Sequence, residues 1–200
     1  MEKRNESKFF SFYIRYPKIF AVDNSLRNDL KLEFTFEEVV LPTHKREITS
    51  ILAKYTEDPA KISMDCVSPT EIAANKFSAL MWRTDINDRS KKPEIQEYDA
   101  TIMRHLHDLA ALERFIMNED FIKSVQQSFA TDKGRGGSTK DILLPEFAEK
   151  TLNKLKTDKL YSKEYKDFVD ALSYAKENET IDFSLAISAF ERIVNFIQNH

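Results

Sequence analysis

The stretch Val67-Ser68-Pro69-Thr70-Glu71-Ile72-Ala73-Ala74-Asn75-Lys76-Phe77-Ser78-Ala79-Leu80 is where the chain changes its hydrophobic period. Ser68 takes the N-cap position, Pro69 the first helical position, and Glu71 follows the cap by three residues. This is a capping box: the serine oxygen can accept from the third helical amide, and the glutamate can reach back to the cap. A helix is predicted from here to about Thr84. Upstream the period is two. Phe10, Phe12, Ile14 and Tyr16 alternate with Ser11, Tyr13 and Arg15 until Pro17. Leu30, Leu32, Phe34 and Phe36 face one way, while Lys31, Glu33, Thr35 and Glu37 face the other. Residues 60–67 read as a third, weaker strand, and 46–55 as a short helix. Downstream, helical patterns cover 99–118, 119–131, 145–156, 162–177 and 182–198, with a polar stretch at 85–98 that contains Pro93. The predicted class is α+β: a small N-terminal sheet, then a helical bundle. The predicted organisation is a sheet region at 1–67 and a helical region at 68–200 that packs on it as a single compact unit.

Composition narrows the possible functions. The chain has 200 residues with 42% hydrophobic and 32% charged residues, including fifteen Phe and seven Tyr. A chain this long hides roughly 70% of its unfolded surface, enough for one core. No apolar run approaches the roughly 18 residues of a membrane span, and no secretory leader pattern follows the charged N-terminus. The lone Cys66 forms no internal disulfide, so a reducing, cytoplasmic setting is expected. All three glycines fall at 134–137, where Gly-Arg-Gly-Gly-Ser-Thr-Lys matches neither a P-loop nor a dinucleotide fingerprint and reads as a loop. Net charge is −3, but residues 133–166 carry nine basic and five acidic side chains. That patch is either a solvated helix face or a surface for RNA phosphates.

Several polar side chains stand where they need a reason. If Ile72, Ala73, Phe77 and Leu80 mark the buried arc of the first helix, Lys76 falls inside it and Arg83 lies on nearly the same line. Burying an unpaired ammonium costs several kcal/mol (about the scale of a lost ionic group). Lys76 therefore either snorkels to water or points a cation into a cleft at a carboxylate or phosphate. On the next helix His105 falls between Leu112 and Ile116, with Asp108 on the edge of the apolar arc, Arg104 beyond it and His107 on the exposed side. Arg104 and Asp108 could form a simple i,i+4 pair, with His105 a core histidine. Alternatively, His105 and Asp108 share a polar cleft with Lys76. Two candidate ligands are too few to read a metal site. Glu33, at mid-strand, is a surface glutamate paired with Lys31 or Thr35, or a strand acid of a polymerase-like site. Cys66 reads as a small buried residue.

In this order the pieces resemble the AbiEii/AbiGii family of nucleotidyltransferase-fold proteins. Leu30-Lys31-Leu32-Glu33-Phe34 is similar to the family's strand carrying its third acid. Residues 67–80, with Arg83 after them, are similar to its hydrophobic-Ser-Pro-x-Glu-Ile-x-Ala-x-Lys-x-x-Ala-Leu helix. Arg104-His105-Leu106-His107-Asp108-Leu109 is similar to its Arg-His/Asp-x-x-Asp-Leu helix, and Tyr161–Tyr174 and Asp182–Asn195 to its C-terminal helices. The resemblance spans about residues 10–198. It implies a toxin of a bacterial toxin–antitoxin or phage-defence system that transfers a nucleotide from a nucleoside triphosphate with Mg2+, some members acting on tRNA. It implies a cognate antitoxin as partner. It also implies roles: Lys76 contacting the triphosphate, Asp108 as catalytic or orienting acid, Glu33 as the third strand acid, and Arg83, Arg104 and His105 as companions in nucleotide binding.

One part of the family pattern is missing. These nucleotidyltransferases carry a Gly-Ser or Gly-Gly turn and then a metal-holding Asp-x-Asp pair. Here no glycine precedes residue 134 and no Asp-x-Asp occurs. The nearest acid-x-acid pairs are Glu97-Tyr98-Asp99 and Glu177-Asn178-Glu179. The sheet is then a remnant of the family's sheet, no metal ligands are assigned, and the chain is expected to be deficient in transfer. Either it is a truncated or wrongly started toxin, or it is a non-catalytic remnant or regulator that binds nucleotide, RNA or a protein. An uncovered sheet edge makes a homodimer a further expectation.

Overall fold

The computed structural model describes residues 2–4, 9–15, 29–36, 38–49, 55, 61–88, 99–133, 141–172 and 180–200. The glycine loop at 134–137, the polar stretch at 89–98 and the 50–54 part of the expected short helix lie outside them. The strands are β1 (Glu2–Arg4), β2 (Phe9–Arg15), β3 (Asp29–Thr35), β4 (His44–Ile48) and β5 (Ile62–Cys66). The helices are α1 (Pro69–Ile86), α2 (Ala100–Leu112), α3 (Glu119–Lys133), α4 (Leu144–Thr157), α5 (Lys159–Leu172) and α6 (Phe183–Gln198). Two small antiparallel sheets thus precede a helical region, the α+β class read from the sequence. The chain divides into two compact units, Met1–Val39 and Val40–His200. The β4–β5 hairpin falls in the second of these.

In the 1–39 unit, the strand order is β1-β2-β3. The register Phe10↔Phe34, Phe12↔Leu32 and Ile14↔Leu30 puts these six side chains on one face, with Ser11↔Glu33 and Tyr13↔Lys31 on the other. Phe12 and Phe34 meet edge to face at 5.8 Å, a pairing that helps hold the register. Both faces are partly open: Phe34 on the apolar face is 49% exposed and Tyr13 on the polar face 45%, while Ser11 is fully buried.

In the 40–200 unit, residues 46–48 are strand and not helix. β4 is a charged run ending in Ile48, and it supplies the partner that β5 needs in the register His44↔Cys66 to Ile48↔Ile62. Lys61 and Glu47 form an ion pair at its open end, 3.1 Å apart. α1 starts at Ser68, but its cap differs from the predicted box. Ser68 Oγ accepts from the Thr70 amide at 3.3 Å. Glu71 turns away from the cap and accepts from the amides of Val40 at 3.0 Å and Leu41 at 2.9 Å. A carboxylate receiving two amide hydrogens is worth more there than one reciprocal cap bond, and it ties the start of this unit to α1.

The core gathers around α1. Ala73, Ala74, Phe77, Leu80 and Met81 are fully buried. The Phe77 ring meets Phe121 of α3 at 6.1 Å and Phe190 of α6 at 5.3 Å. Ile72, by contrast, is 37% exposed, so the buried arc is centred further round the helix than the sequence suggested. Lys76 and Arg83 accordingly sit on its flank. Asn118 caps α3 by accepting from the Phe121 amide at 2.9 Å, and Asp182 caps α6 by accepting from the Leu185 amide at 2.8 Å.

The Glu71 clamp makes a direct prediction. Glu71→Ala leaves one buried and one half-buried amide without an acceptor and should cost about 2–3 kcal/mol in urea unfolding. Hydrogen exchange at Val40 and Leu41 should rise with it. Unchanged exchange at both amides would remove the clamp from the account.

Candidate functional site

The site lies where α1 and α2 pack. Lys76 is one turn after the α1 alanine pair Ala73-Ala74, which lets the neighbouring helices approach closely. Asp108 sits on the α2 flank that the pattern Ile102, Leu106, Leu109 leaves beside the core. The two charges meet: Lys76 Nζ donates to Asp108 Oδ2 at 2.5 Å, with side chains 24% and 31% exposed. The predicted Arg104–Asp108 pair within α2 gives way to this bond between helices. Lys76 reaches Asp108 from the half-buried side, where a charge contact is screened less than on the exposed side Arg104 occupies.

Three further groups complete the cluster. His107 Nδ1 lies 3.8 Å from Asp108 Oδ1. Its ring is not exposed as predicted; it packs against Tyr165 at 6.1 Å and Phe168 at 5.9 Å, both from α5. Burial pushes the Asp108 carboxyl up, but His107 and the Lys76 ammonium outweigh it and hold the carboxyl below its usual range. Burial raises the Tyr165 phenol, and the negative charges of Asp182 and Asp108 raise it further; its hydroxyl donates to the Ile181 carbonyl at 3.0 Å. Across the cluster, His105 is half-buried. Burial first, then the nearby Lys76 and Arg83 cations, lower it to about 4 against the weaker pull of Asp108. Its Nδ1 is buried without a hydrogen-bond partner, so the backbone partner expected of a core histidine is missing at that nitrogen.

Arg83 is already engaged. It donates to Asp99 Oδ2 at 3.1 Å, and Asn87 Nδ2 donates to the same oxygen at 3.2 Å. Asp99 lies just ahead of α2, and its carbonyl accepts from the Ile102 amide at 3.0 Å. Lys76, Arg83, His105 and Asp108 are therefore gathered in one neighbourhood, with Arg104 of the same helix exposed beside it. Glu33 belongs to the 1–39 unit, where it is half-exposed and pairs with Lys31 at 2.6 Å. Sequence reasoning missed His107, Tyr165, Asn87 and Asp99. A helical wheel gives one helix's faces, not which neighbour covers them; only the placement of Asp99 next to the α2 start was a usable signal.

The chain matches a family model described as "Nucleotidyl transferase AbiEii toxin, Type IV TA system" over residues 1–195. The chain belongs to the AbiEii family. Comparisons with curated proteins and with solved structures returned no match. AbiEii membership makes this a nucleotidyltransferase-type toxin of a type IV toxin–antitoxin system, with a nucleoside triphosphate and an antitoxin as the implied partners. No helix among the described residues is long and apolar enough to cross a membrane.

Divalent metal is implied by the AbiEii reaction class, and the described residues do not fit it. None of their His, Cys, Asp and Glu side chains form a group of three or more that could hold an ion, and Asp108 is already neutralised by Lys76. A phosphate fits better, because an ammonium with one donor committed keeps two more.

Two expectations follow from this geometry. In a double-mutant cycle, Lys76→Met and Asp108→Asn should couple by about 1–2 kcal/mol, more than an exposed pair gives; additive single effects would show that the contact contributes nothing. The histidine makes a pH prediction. Its folded pKa, about 4, lies below the unfolded value, so the unfolded chain binds more protons between the two. The stability this site contributes is present above the unfolded pKa of about 6.5 and is lost as pH falls toward the folded one. Histidine NMR should show His105 without a titration step between pH 5 and 8; a midpoint near 6.5 would contradict its burial.

Proposed function

We propose that the chain binds a nucleoside triphosphate at the α1–α2 site and passes its nucleoside monophosphate to an RNA, tRNA among the candidates, or to a protein. The observation that carries this reading is the Lys76–Asp108 pair, with Arg83 and the neutral His105 beside it. In the reaction an acceptor oxygen bonds to the α-phosphorus, the bond to pyrophosphate breaks, and the acceptor proton passes to a base. Catalysis of this kind is mostly positioning and charge neutralisation. Lys76 is the phosphate contact: an entering phosphate oxygen competes with Asp108 for its ammonium. Asp108 is the orienting acid, which holds the ammonium ready and, once released from it, stands beside His107 as a carboxylate. Arg83, Arg104 and His105 are assigned to the nucleotide, and Glu33 to the same activity as a strand acid. Transfer by these residues is proposed to be weak, since the 200 residues contain no Asp-x-Asp pair. The setting proposed is the cytoplasm, with a cognate antitoxin as partner and a homodimer as a further possibility for assembly.

A second reading is favoured by the same missing pair and by the poor fit to metal: the chain binds nucleotide, RNA or a partner without transferring anything. Calorimetry and label transfer separate the two. Nucleoside triphosphate should bind the wild-type chain, and Lys76→Ala should weaken it roughly ten- to a hundredfold, the loss of one charge-assisted contact. Label reaching tRNA or protein in the presence of Mg2+, and lost in Asp108→Asn, supports transfer. Binding without label transfer supports the second reading. No binding up to millimolar nucleotide overturns the transfer reading and the nucleotide-binding form of the second.

A further inference from the structure

The transfer described above needs a base for the acceptor proton, and most titratable groups of the site are poor ones. Lys76 covers Oδ2 of Asp108. Burial works against the Asp108 carboxylate, but His107 and Lys76 hold its carboxyl below the usual range. The Tyr165 phenol keeps its proton, raised by burial and then by the charges of Asp182 and Asp108, and its hydroxyl is spent on the Ile181 carbonyl. Burial first, then the Lys76 and Arg83 cations, push His105 down to about 4, which makes it a weak base near neutrality. Its Nδ1 is also buried. His107 is left.

The placement of His107 suits the task. Its Nδ1 stands 3.8 Å from Asp108 Oδ1, while Lys76 is bonded to the other oxygen, Oδ2. That spacing is too long for a hydrogen bond, but catalytic pairs are often this loose before substrate arrives. α5 walls the ring in: Tyr165 lies 6.1 Å away in a tilted stack and Phe168 5.9 Å away at its edge. The Tyr165 hydroxyl ties that wall to Ile181. The His107 side chain remains 25% exposed, and its Nε2 is not among the buried polar atoms that lack a partner. The charged and titratable groups nearest it are Asp108 and Arg104 on its own helix, Lys76 of α1 and Tyr165 of α5. Glu164, Lys166 and Asp167 flank that tyrosine in the sequence. Glu113, just after α2, is held by Arg192 of α6, and Asp182, at the start of α6, acts on Tyr165.

We propose that His107, oriented by Asp108, is the catalytic base that takes the proton of an acceptor hydroxyl. The inference rests on the proposed function and supplies the base that it leaves unnamed. Asp108 Oδ1 accepts from Nδ1–H, which leaves the lone pair of Nε2 free on the other side of the ring. The hydroxyl proton passes to Nε2 as the hydroxyl oxygen bonds to the α-phosphorus. The bond to pyrophosphate breaks, and its electron pair leaves with the pyrophosphate oxygen. The imidazolium, stabilised by the carboxylate behind it, then gives its proton to water. A carboxylate that fixes the tautomer of an imidazole base is a division of labour found on unrelated folds.

Nitrogen-15 NMR of the imidazole tests the orientation without any reaction. In the wild type the neutral His107 ring should carry its proton on Nδ1. In Asp108→Asn, Lys76 keeps the amide oxygen, the amide NH2 turns to His107, and the proton should move to Nε2. A wild-type ring protonated on Nε2, or the same tautomer in both proteins, overturns the proposal. Label transfer from α-labelled nucleoside triphosphates, with Mg2+ and tRNA or protein, tests the chemistry. His107→Gln should transfer about a hundredfold more slowly or worse, while its nucleotide affinity by calorimetry stays at the wild-type value. Between about pH 5.5 and 8.5 the wild-type rate should climb and then level off, and the His107→Gln rate should stay flat. Added imidazole should restore part of the rate of His107→Ala, which a packing role for the ring would not produce. Equal rates and pH profiles in the wild type and His107→Gln overturn the proposal and leave the transfer reading standing. A wild type that binds nucleotide and transfers no label removes the transfer reading and the base with it.

Discussion

A lysine and an aspartate held together at the junction of two packed helices are the contact around which the candidate site is arranged. α1 packs against α2, α3 and α4, and its polar side chains are divided among these neighbours: Ser78 meets Asp132 of α3, Asp85 lies near Lys150 of α4, and one flank faces α2. Lys76 and Arg83 occupy that flank, and each meets an aspartate from the neighbourhood of α2. Partial burial strengthens such pairs relative to surface ones, yet each ion also forfeits hydration. The result is a near-neutral cluster at the junction of α1 and α2.

The histidines divide the work around that pair. His107 is wedged between Asp108 and the aromatic side of α5, where it favours the carboxylate form. His105 is kept uncharged by burial and by two cations. Two imidazoles only two residues apart on one helix thus meet quite different surroundings, which come from their neighbours and not from their sequence positions.

Much of this was legible in the residues. The helix start at Ser68, the order of strands before helices, and the meeting of Lys76 with Asp108 follow from caps, period and the family pattern. What the sequence misplaced has physical reasons. Glu71 looked like a capping partner, but two backbone amides from residues 40 and 41 offered it more. Residues 46–48 looked helical because a short charged run carries little period, and only the cross-strand register with β5 decides it. Lys76 looked buried because the wheel was centred on Ile72, a residue that the packing leaves partly open. The apolar side of the first sheet stays partly open, with Phe34 about as exposed as Tyr13 on the polar side, which no alternation of residues could reveal.

The Arg83 and Asn87 bonds to Asp99 fasten the beginning of α2 directly to the end of α1. The position of Asp108 is therefore set by that fastening and not by the length of chain running from residue 89 to 98. Because lengthening a connection whose ends are already joined costs little, extra residues placed in that span should leave the aspartate where it is.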